Sequence, residues 1–310
     1  MTTIAPVRFP NKDGLMLYGI LHEPAAETRK DIGILLLSPG VKMRVAPHRL
    51  YNKWAEKFVQ LGFTVFRFDF CGLGDAEGEI EEDFLADLYG SIQIGRYVED
   101  TRSAMQWLSS ACGLDRYILA GLCGGAITGL LTAKSDARVE GLLGLGIPVI
   151  LDGSNLDKSK YLTEGQMDRL AGRYVRKLLN PVSWWQLLTF QSDYRVIWRI
   201  FKKKFNLNVD PALSDGEKAC EQKDNTNPLF ARAFFEMVSS GRRIIFIFSG
   251  SDRLDWEYEE KFVQWHKDKL KQYDAHFETA IIPDANHILS LPEWQEQMMD
   301  LSEHWLKKHF

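Results

Sequence analysis

Apolar residues fall along this chain in two alternating rhythms. Short continuous runs at 32–37, 63–70, 117–120 and 139–145 have the length and composition of strands buried on both faces. Between them lie stretches with helical spacing. The first, 48–61, runs through Leu50, Trp54, Phe58 and Leu61 and is closed by Gly62; 92–110 and the small-residue stretch 124–133 follow. Residues 7–10 and 15–22 read as a hairpin around Asn11-Lys12-Asp13-Gly14. Repeated strand-helix-strand units predict a mostly parallel sheet with helices on both faces. The rhythm stops near residue 148. The pattern is helical from there to about 238, and strand and helix alternate again at 243–248, 256–273, 276–282 and 292–308. The expectation is an α/β core built from 1–147 and 239–310, interrupted by a helical cap at 148–238.

Composition narrows the picture mainly by exclusion. The 310 residues suffice for one large α/β domain with an insertion. A net charge of −4 supplies no field for nucleic acid or an anionic membrane. No apolar stretch is long enough to span a bilayer, and residues 1–6 lack the basic and apolar regions of a secretion signal. None of the 4 cysteines forms a CxxC pair, so neither a zinc site nor a redox motif is signalled. Free thiols fit a reducing cytoplasmic setting. The pattern implies no metal or organic cofactor.

Candidate chemistry begins at Gly121-Leu122-Cys123-Gly124-Gly125, between a strand and a helix of small residues. That is the context of a nucleophile elbow, written G-x-S-x-G when the nucleophile is serine. Its backbone is strained, and its flanking residues must be small so that strand and helix pass closely. Cys123 is the expected nucleophile, and the N–H of Gly124, at the helix N-terminus, the expected donor to a developing oxyanion. The competing readings are a buried structural cysteine, a fold whose site is dead, and a thiol that replaces an original serine. Cys71, Cys112 and Cys220 lie in contexts without such support.

A thiol nucleophile needs a base. His287 follows the last strand, at the sheet edge where open α/β sheets place their sites. His276 begins that strand at its other end, and His22, His48, His266, His304 and His309 read as surface or packing residues. The acid is expected after the strand 244–248, where Asp252 comes first behind the glycine turn. Asp255 is the runner-up, with capping of a helix near Trp256 as its other role. The order Cys123, Asp252, His287 matches nucleophile-acid-histidine, not the chymotrypsin or subtilisin orders. A second oxyanion donor is expected after the strand 32–37. Pro39 has no N–H, so Val41 leads, with Gly40 behind it.

These motifs resemble the α/β-hydrolase superfamily, over nearly the whole chain. The stretch Phe66-Arg67-Phe68-Asp69-Phe70-Cys71-Gly72-Leu73-Gly74-Asp75-Ala76-Glu77-Gly78 resembles the D-x-x-G-x-G-x-S-x-G signature of the serine-aminopeptidase-like branch, with Ala76 in place of the serine. Asp69 and Asp75 then read as loop-bracing. Within the insertion, Tyr174-Val175-Arg176-Lys177-Leu178-Leu179-Asn180-Pro181 and Trp184-Trp185-Gln186-Leu187-Leu188 are similar to the cap of exosortase A system-associated hydrolases, which also place cysteine at the elbow. The resemblance implies a cytoplasmic hydrolase or acyltransferase without naming a substrate.

Cap segments set access to such a site. Trp184, Trp185, Phe190, Trp198 and Phe201 are candidates for an acyl pocket or for packing of the cap. Lys202, Lys203 and Lys204, with Arg173 and Arg176, suit an acyl carrier protein or simply a solvated face. The leading expectation is a hydrolase that cleaves a carboxylic ester or thioester through an acyl-Cys123 intermediate. An acyltransferase and a non-catalytic binding protein on the same scaffold are the alternatives.

Overall fold

The segments Gly33–Leu37 and Tyr117–Leu122 are buried at every position, which leaves them no solvent face, and they lie side by side in the middle of a sheet. The computed structural model describes residues 2–82, 84–151 and 225–310. Among these, eight strands form one sheet: β1 (Thr3–Pro10), β2 (Met16–Glu23), β3 (Gly33–Leu37), β4 (Thr64–Phe68), β5 (Tyr117–Leu122), β6 (Val139–Leu145), β7 (Arg243–Ser249) and β8 (Phe277–Ile282). Their order is β1-β2-β4-β3-β5-β6-β7-β8. β2 runs antiparallel to β1 and β4, and the strands from β4 to β8 are parallel. The mostly parallel sheet read from the sequence is therefore present, with the 7–10/15–22 hairpin at one edge.

Among the described residues the helices are α1 (Leu50–Gln60), α2 (Leu85–Gln93), α3 (Val98–Cys112), α4 (Gly124–Ser135), α5 (Pro228–Ser239), α6 (Arg253–Tyr258), α7 (Gln264–Leu270) and α8 (Pro292–His309). Strand side chains alternate between two buried clusters. On one face Ile34, Leu36 and Ile118 pack with Trp54 and Phe58 of α1 and Met298 and Trp305 of α8. On the other, Leu35, Leu119 and Leu142 pack with Ala104 of α3, Ile127 and Leu130 of α4 and Phe234 of α5. α4 is buried at every residue from Gly124 to Ala133, which explains its small, stripe-free sequence. Among the described residues no helix is long and apolar enough to cross a membrane.

Three expectations are revised. The helix expected over 92–110 is two helices, because the chain turns at Gly95, whose φ of +110° is left-handed backbone. The stretch 256–273 is likewise broken: α6 begins at Arg253, a π turn at Glu259–Val263 separates it from α7, and a short 3-10 turn ends it. At the end of the stretch 148–238, α5 packs on α4 and belongs to the core. The chain enters it through an Ile150–Thr226 bridge, and Asn227, whose side chain caps α5 at the Leu229 N–H, also donates to the carbonyl of Gln93.

One buried polar pair predicts a response to acid. Arg67 Nε donates to His22 Nε2 at 3.0 Å, and both residues are buried. Burial first, and the Arg67 charge second, push the His22 pKa down to about 4. The ring of the unfolded chain titrates near 6.5. Between the two values the unfolded state binds the extra proton, so stability is lost as pH falls through this window, by roughly 3 kcal/mol from this group. His22→Gln keeps an acceptor for Arg67 and removes the titration. Urea midpoints at pH 7 and pH 4.5 should differ less in the variant than in the wild type; an equal difference would count against this assignment.

Candidate active site

The carboxyl ends of the parallel strands lie on one edge of the sheet and deliver each candidate residue there. The chain moves from β3 to β4 on one side, and β5 lies on the other side of β3. This reversal opens a crevice between the loops that follow β3 and β5, the place where such sheets bind ligands. The Val41 loop follows β3, Cys123 follows β5, Asp252 follows β7 and His287 follows β8.

Cys123 sits at φ 53°, ψ −111°, outside the usual wells for an L-residue. It is held there from both sides: its N–H donates to the carbonyl of Leu145 at 2.8 Å, and its own carbonyl accepts from the N–H of Ile127 at 3.2 Å. The glycines around it follow from close approach. A Cβ on Gly124 would lie 2.6 Å from the Cα of Gly40, and one on Gly125 would lie 2.3 Å from the Leu37 carbonyl oxygen. The elbow is thereby pressed against the end of β3 and the loop beyond it. Gly124 is the first residue of α4, so its N–H has no intrahelical acceptor and stands at the positive end of the helix. Across the crevice the Gly40 N–H is taken by the Ser38 carbonyl at 2.8 Å, while that of Val41 has no acceptor among the described residues.

Asp252 works with both carboxylate oxygens. Oδ1 accepts from the N–H of Arg253 at 2.7 Å and caps α6; Oδ2 lies 2.5 Å from His287 Nδ1. The helix cap expected of Asp255 thus belongs to Asp252, because α6 begins three residues earlier than the sequence suggested, and Asp255 lies within its first turn. The two loops are stitched together by the N–H of Gly250 to the carbonyl of Ile282 at 2.9 Å and that of Ser251 to Ala285 at 3.0 Å. With Nδ1 engaged by Asp252, the other ring nitrogen is left for the Cys123 thiol, which lies near enough to shift the titration of the same ring. Burial opposes charge on His287, but its bonds to Asp252 and Cys123 and their negative charge outweigh burial and lift its pKa to about 10. Burial likewise raises Asp252, and the hydrogen bond and charge of His287 more than reverse this, so its pKa lies below the ordinary value. Asp255 is raised, by burial and then by the nearby Glu259 and Asp252 carboxylates.

No protein-family model and no curated protein matches the chain. Solved structures do. The esterase Pf2001 of Pyrococcus furiosus is 14% identical, with 99% of this chain and 90% of that one covered and a TM-score of 0.60. A dienelactone hydrolase of Anabaena variabilis is 15% identical, with 99% and 98% covered and a TM-score of 0.57. The α/β hydrolase GrgF of a Penicillium species is 17% identical, with 99% of each chain covered and a TM-score of 0.54. The chain has the α/β-hydrolase fold.

Around the crevice of this α/β-hydrolase fold stand residues that the sequence did not single out. Arg44, in the loop after β3, clamps the glycine-rich loop after β4. Its N–H donates to Asp69 Oδ1 at 2.6 Å, its guanidinium pairs with Asp69, and its Nη2 meets Asp75 Oδ2 at 2.6 Å. Asp69 and Asp75 therefore brace loops. Asn286 and Ser290 fasten the His287 loop through a side-chain bond of 2.7 Å, and Gly146 lies against the imidazole, where an added Cβ would be 3.5 Å from Nδ1. Only through-space partners mark these positions. Of the other histidines, His276 precedes β8 at the opposite edge, His309 pairs with Glu278 at 2.8 Å and His266 packs on Phe235 and Phe262. Cys71, Cys112 and Cys123 are free thiols. Cys220, Tyr174 to Leu188, Phe190, Trp198, Phe201, Lys202, Lys203, Lys204, Arg173 and Arg176 lie outside the described residues.

Proposed function

We propose that this chain is a hydrolase that cleaves a carboxylic ester or thioester through a covalent acyl-Cys123 intermediate. One observation carries the reading: the His287 imidazole, held by the Asp252 carboxylate at 2.5 Å, is the ring whose titration the strained elbow thiol of Cys123 perturbs. In acylation Sγ, its proton held by His287, attacks the carbonyl carbon. The oxyanion accepts from the N–H groups of Gly124 and Val41. The tetrahedral species collapses, the bond to the alcohol or thiol breaks, and His287 returns the proton to that leaving group. In deacylation His287 takes a proton from water, the oxygen attacks the acyl carbon, and Sγ leaves with the proton. Asp252 holds the ring orientation and stabilises the imidazolium throughout.

The names of the structural neighbours, an esterase and a dienelactone hydrolase, support carbonyl-ester chemistry. The elbow thiol fits the resemblance to exosortase A system-associated hydrolases. The test is incubation with a panel of p-nitrophenyl esters, acyl thioesters and lactones, followed by product measurement and intact mass. The expected result is turnover of at least one class with an acyl mass increment on Cys123. Release of the acyl group to an added alcohol or thiol in preference to water would make the chain an acyltransferase. If no substrate turns over and Cys123 reacts with neither an activated ester nor iodoacetamide, the enzyme reading is wrong.

A further inference from the structure

Tyr51 takes no part in the thiol-imidazole-carboxylate chain, yet its side chain is wholly buried at the base of the crevice. Its hydroxyl donates to the carbonyl of Leu37 at 2.7 Å and accepts from the N–H of Leu122 at 2.7 Å. Its own main-chain N–H donates to the carbonyl of Val45 at 3.2 Å. The pairing of β3 with β5 ends at Leu37 and Gly121. Beyond that pair β3 becomes the loop that carries Val41, and β5 becomes the elbow that carries Cys123 and Gly124. The phenol oxygen stands in the fork, and the same residue fastens both ends of the loop, at Leu37 and at Val45.

We propose that Tyr51 is a positioning residue that sets the Val41 and Gly124 N–H groups at the spacing needed to share one oxyanion. The proposal rests on the reading of Cys123 as an acyl-accepting nucleophile. The two amides come from different strands at the point where the ladder stops, so no backbone hydrogen bond between β3 and β5 holds them in register. Oxyanion donors act only at close to hydrogen-bond distance, and displacements of about 1 Å lose much of the effect. Tyr51 supplies a rigid link of fixed polarity. Its single proton goes to the Leu37 carbonyl, which cannot donate, and its lone pair faces the Leu122 N–H. Burial, and to a lesser extent the charge of Cys123, pushes the phenol pKa far above its ordinary value despite the Leu122 hydrogen bond, so the group stays protonated and this polarity holds.

Two reactions of Cys123 separate the proposal from a merely structural role. Alkylation by iodoacetamide displaces iodide at a saturated carbon and forms no oxyanion; acylation by p-nitrophenyl butyrate does form one. Tyr51→Phe is expected to slow acylation about 10- to 100-fold, with KM changed less than about threefold, and to leave alkylation within about twofold of the wild type. Unchanged acylation would overturn the proposal. An equal fall in both rates would do so as well, because the phenol would then act on the thiol or on folding. Alkylation is read at Cys123 by peptide mass, and rates are normalised to the folded fraction from circular dichroism, so partial misfolding does not blur the comparison. If the Phe variant does not fold, a fluorinated tyrosine at position 51 keeps the shape and weakens the oxygen as acceptor. Its acylation rate should fall below that of the wild type, and equality with the wild type overturns the proposal. Wild-type protein that is alkylated at Cys123 but acylated by no ester marks instead the failure of the nucleophile reading, which takes this one with it.

Discussion

Cys123→Ala lowers ester or thioester turnover by about 10³-fold or more and abolishes the acyl adduct, if the proposed chemistry is right. The expectation follows from how the site is joined. In the proposed mechanism His287 and Asp252 serve only to move the thiol proton and to hold the charge that results. Without Sγ there is no bond for the acyl group to occupy, and the two amides alone supply a residual rate from binding and polarisation. The alanine keeps a Cβ at φ 53°, so the elbow backbone is asked for nothing new and thermal stability should change little. The variant is to be compared with wild type by initial rates and by intact mass after a brief reaction. Turnover within tenfold of wild type would remove Cys123 from the chemistry.

Asp252→Asn should cost about 10²- to 10⁴-fold in kcat and should also move the pH profile, in a direction fixed by the electrostatics. His287 carries its proton up to about pH 10 because the hydrogen bonds and charges of Asp252 and Cys123 overcome burial. In the proposed mechanism that proton is the one handed to the leaving group. Wild-type activity is therefore expected to hold through the neutral range and fall on the alkaline side near pH 10. An asparagine brings no negative charge, and it can hold the ring with the wrong nitrogen protonated. The alkaline limb of the variant must then shift to lower pH as the rate drops. The check is a rate profile from pH 6 to 11 for both proteins. A variant with the wild-type limb, or an Asp255→Asn variant that loses activity while Asp252→Asn keeps it, would make Asp255 the acid.

The parts of this molecule that were legible in the sequence are those whose signal is local. Buried parallel strands read as apolar runs because both faces are covered, and Gly33–Leu37 and Tyr117–Leu122 lie within a residue or two of the expected positions. The glycines around Cys123 were readable because contact with the loop after β3 excludes any side chain at Gly124 and Gly125. Placement of Asp252 and His287 after successive strands followed from topology alone. What stayed hidden depends on distant partners. Tyr51 looks like one more apolar position on the stripe of α1, and its value lies in Leu122, 71 residues away. Arg44 looks like a surface cation until Asp69 and Asp75 are seen around it. The sequence puts the start of α6 three residues late because it shows one task for Asp252, and the residue performs two with its two oxygens.

The elbow also divides its own sequence into positions with no freedom and one with a great deal. Gly124 and Gly125 are locked by backbone atoms of the neighbouring strand and loop, which have nowhere to go. Cys123 is held by its main-chain N–H and carbonyl, and neither contact senses which element sits at the end of its side chain. Sulfur and oxygen are thus exchangeable by a single-atom change that asks no refolding of its surroundings. If Cys123 is the nucleophile proposed above, a lineage built on this backbone is free to alternate between a soft and a hard nucleophile, trading one range of acyl substrates for another, while the glycines beside it stay frozen.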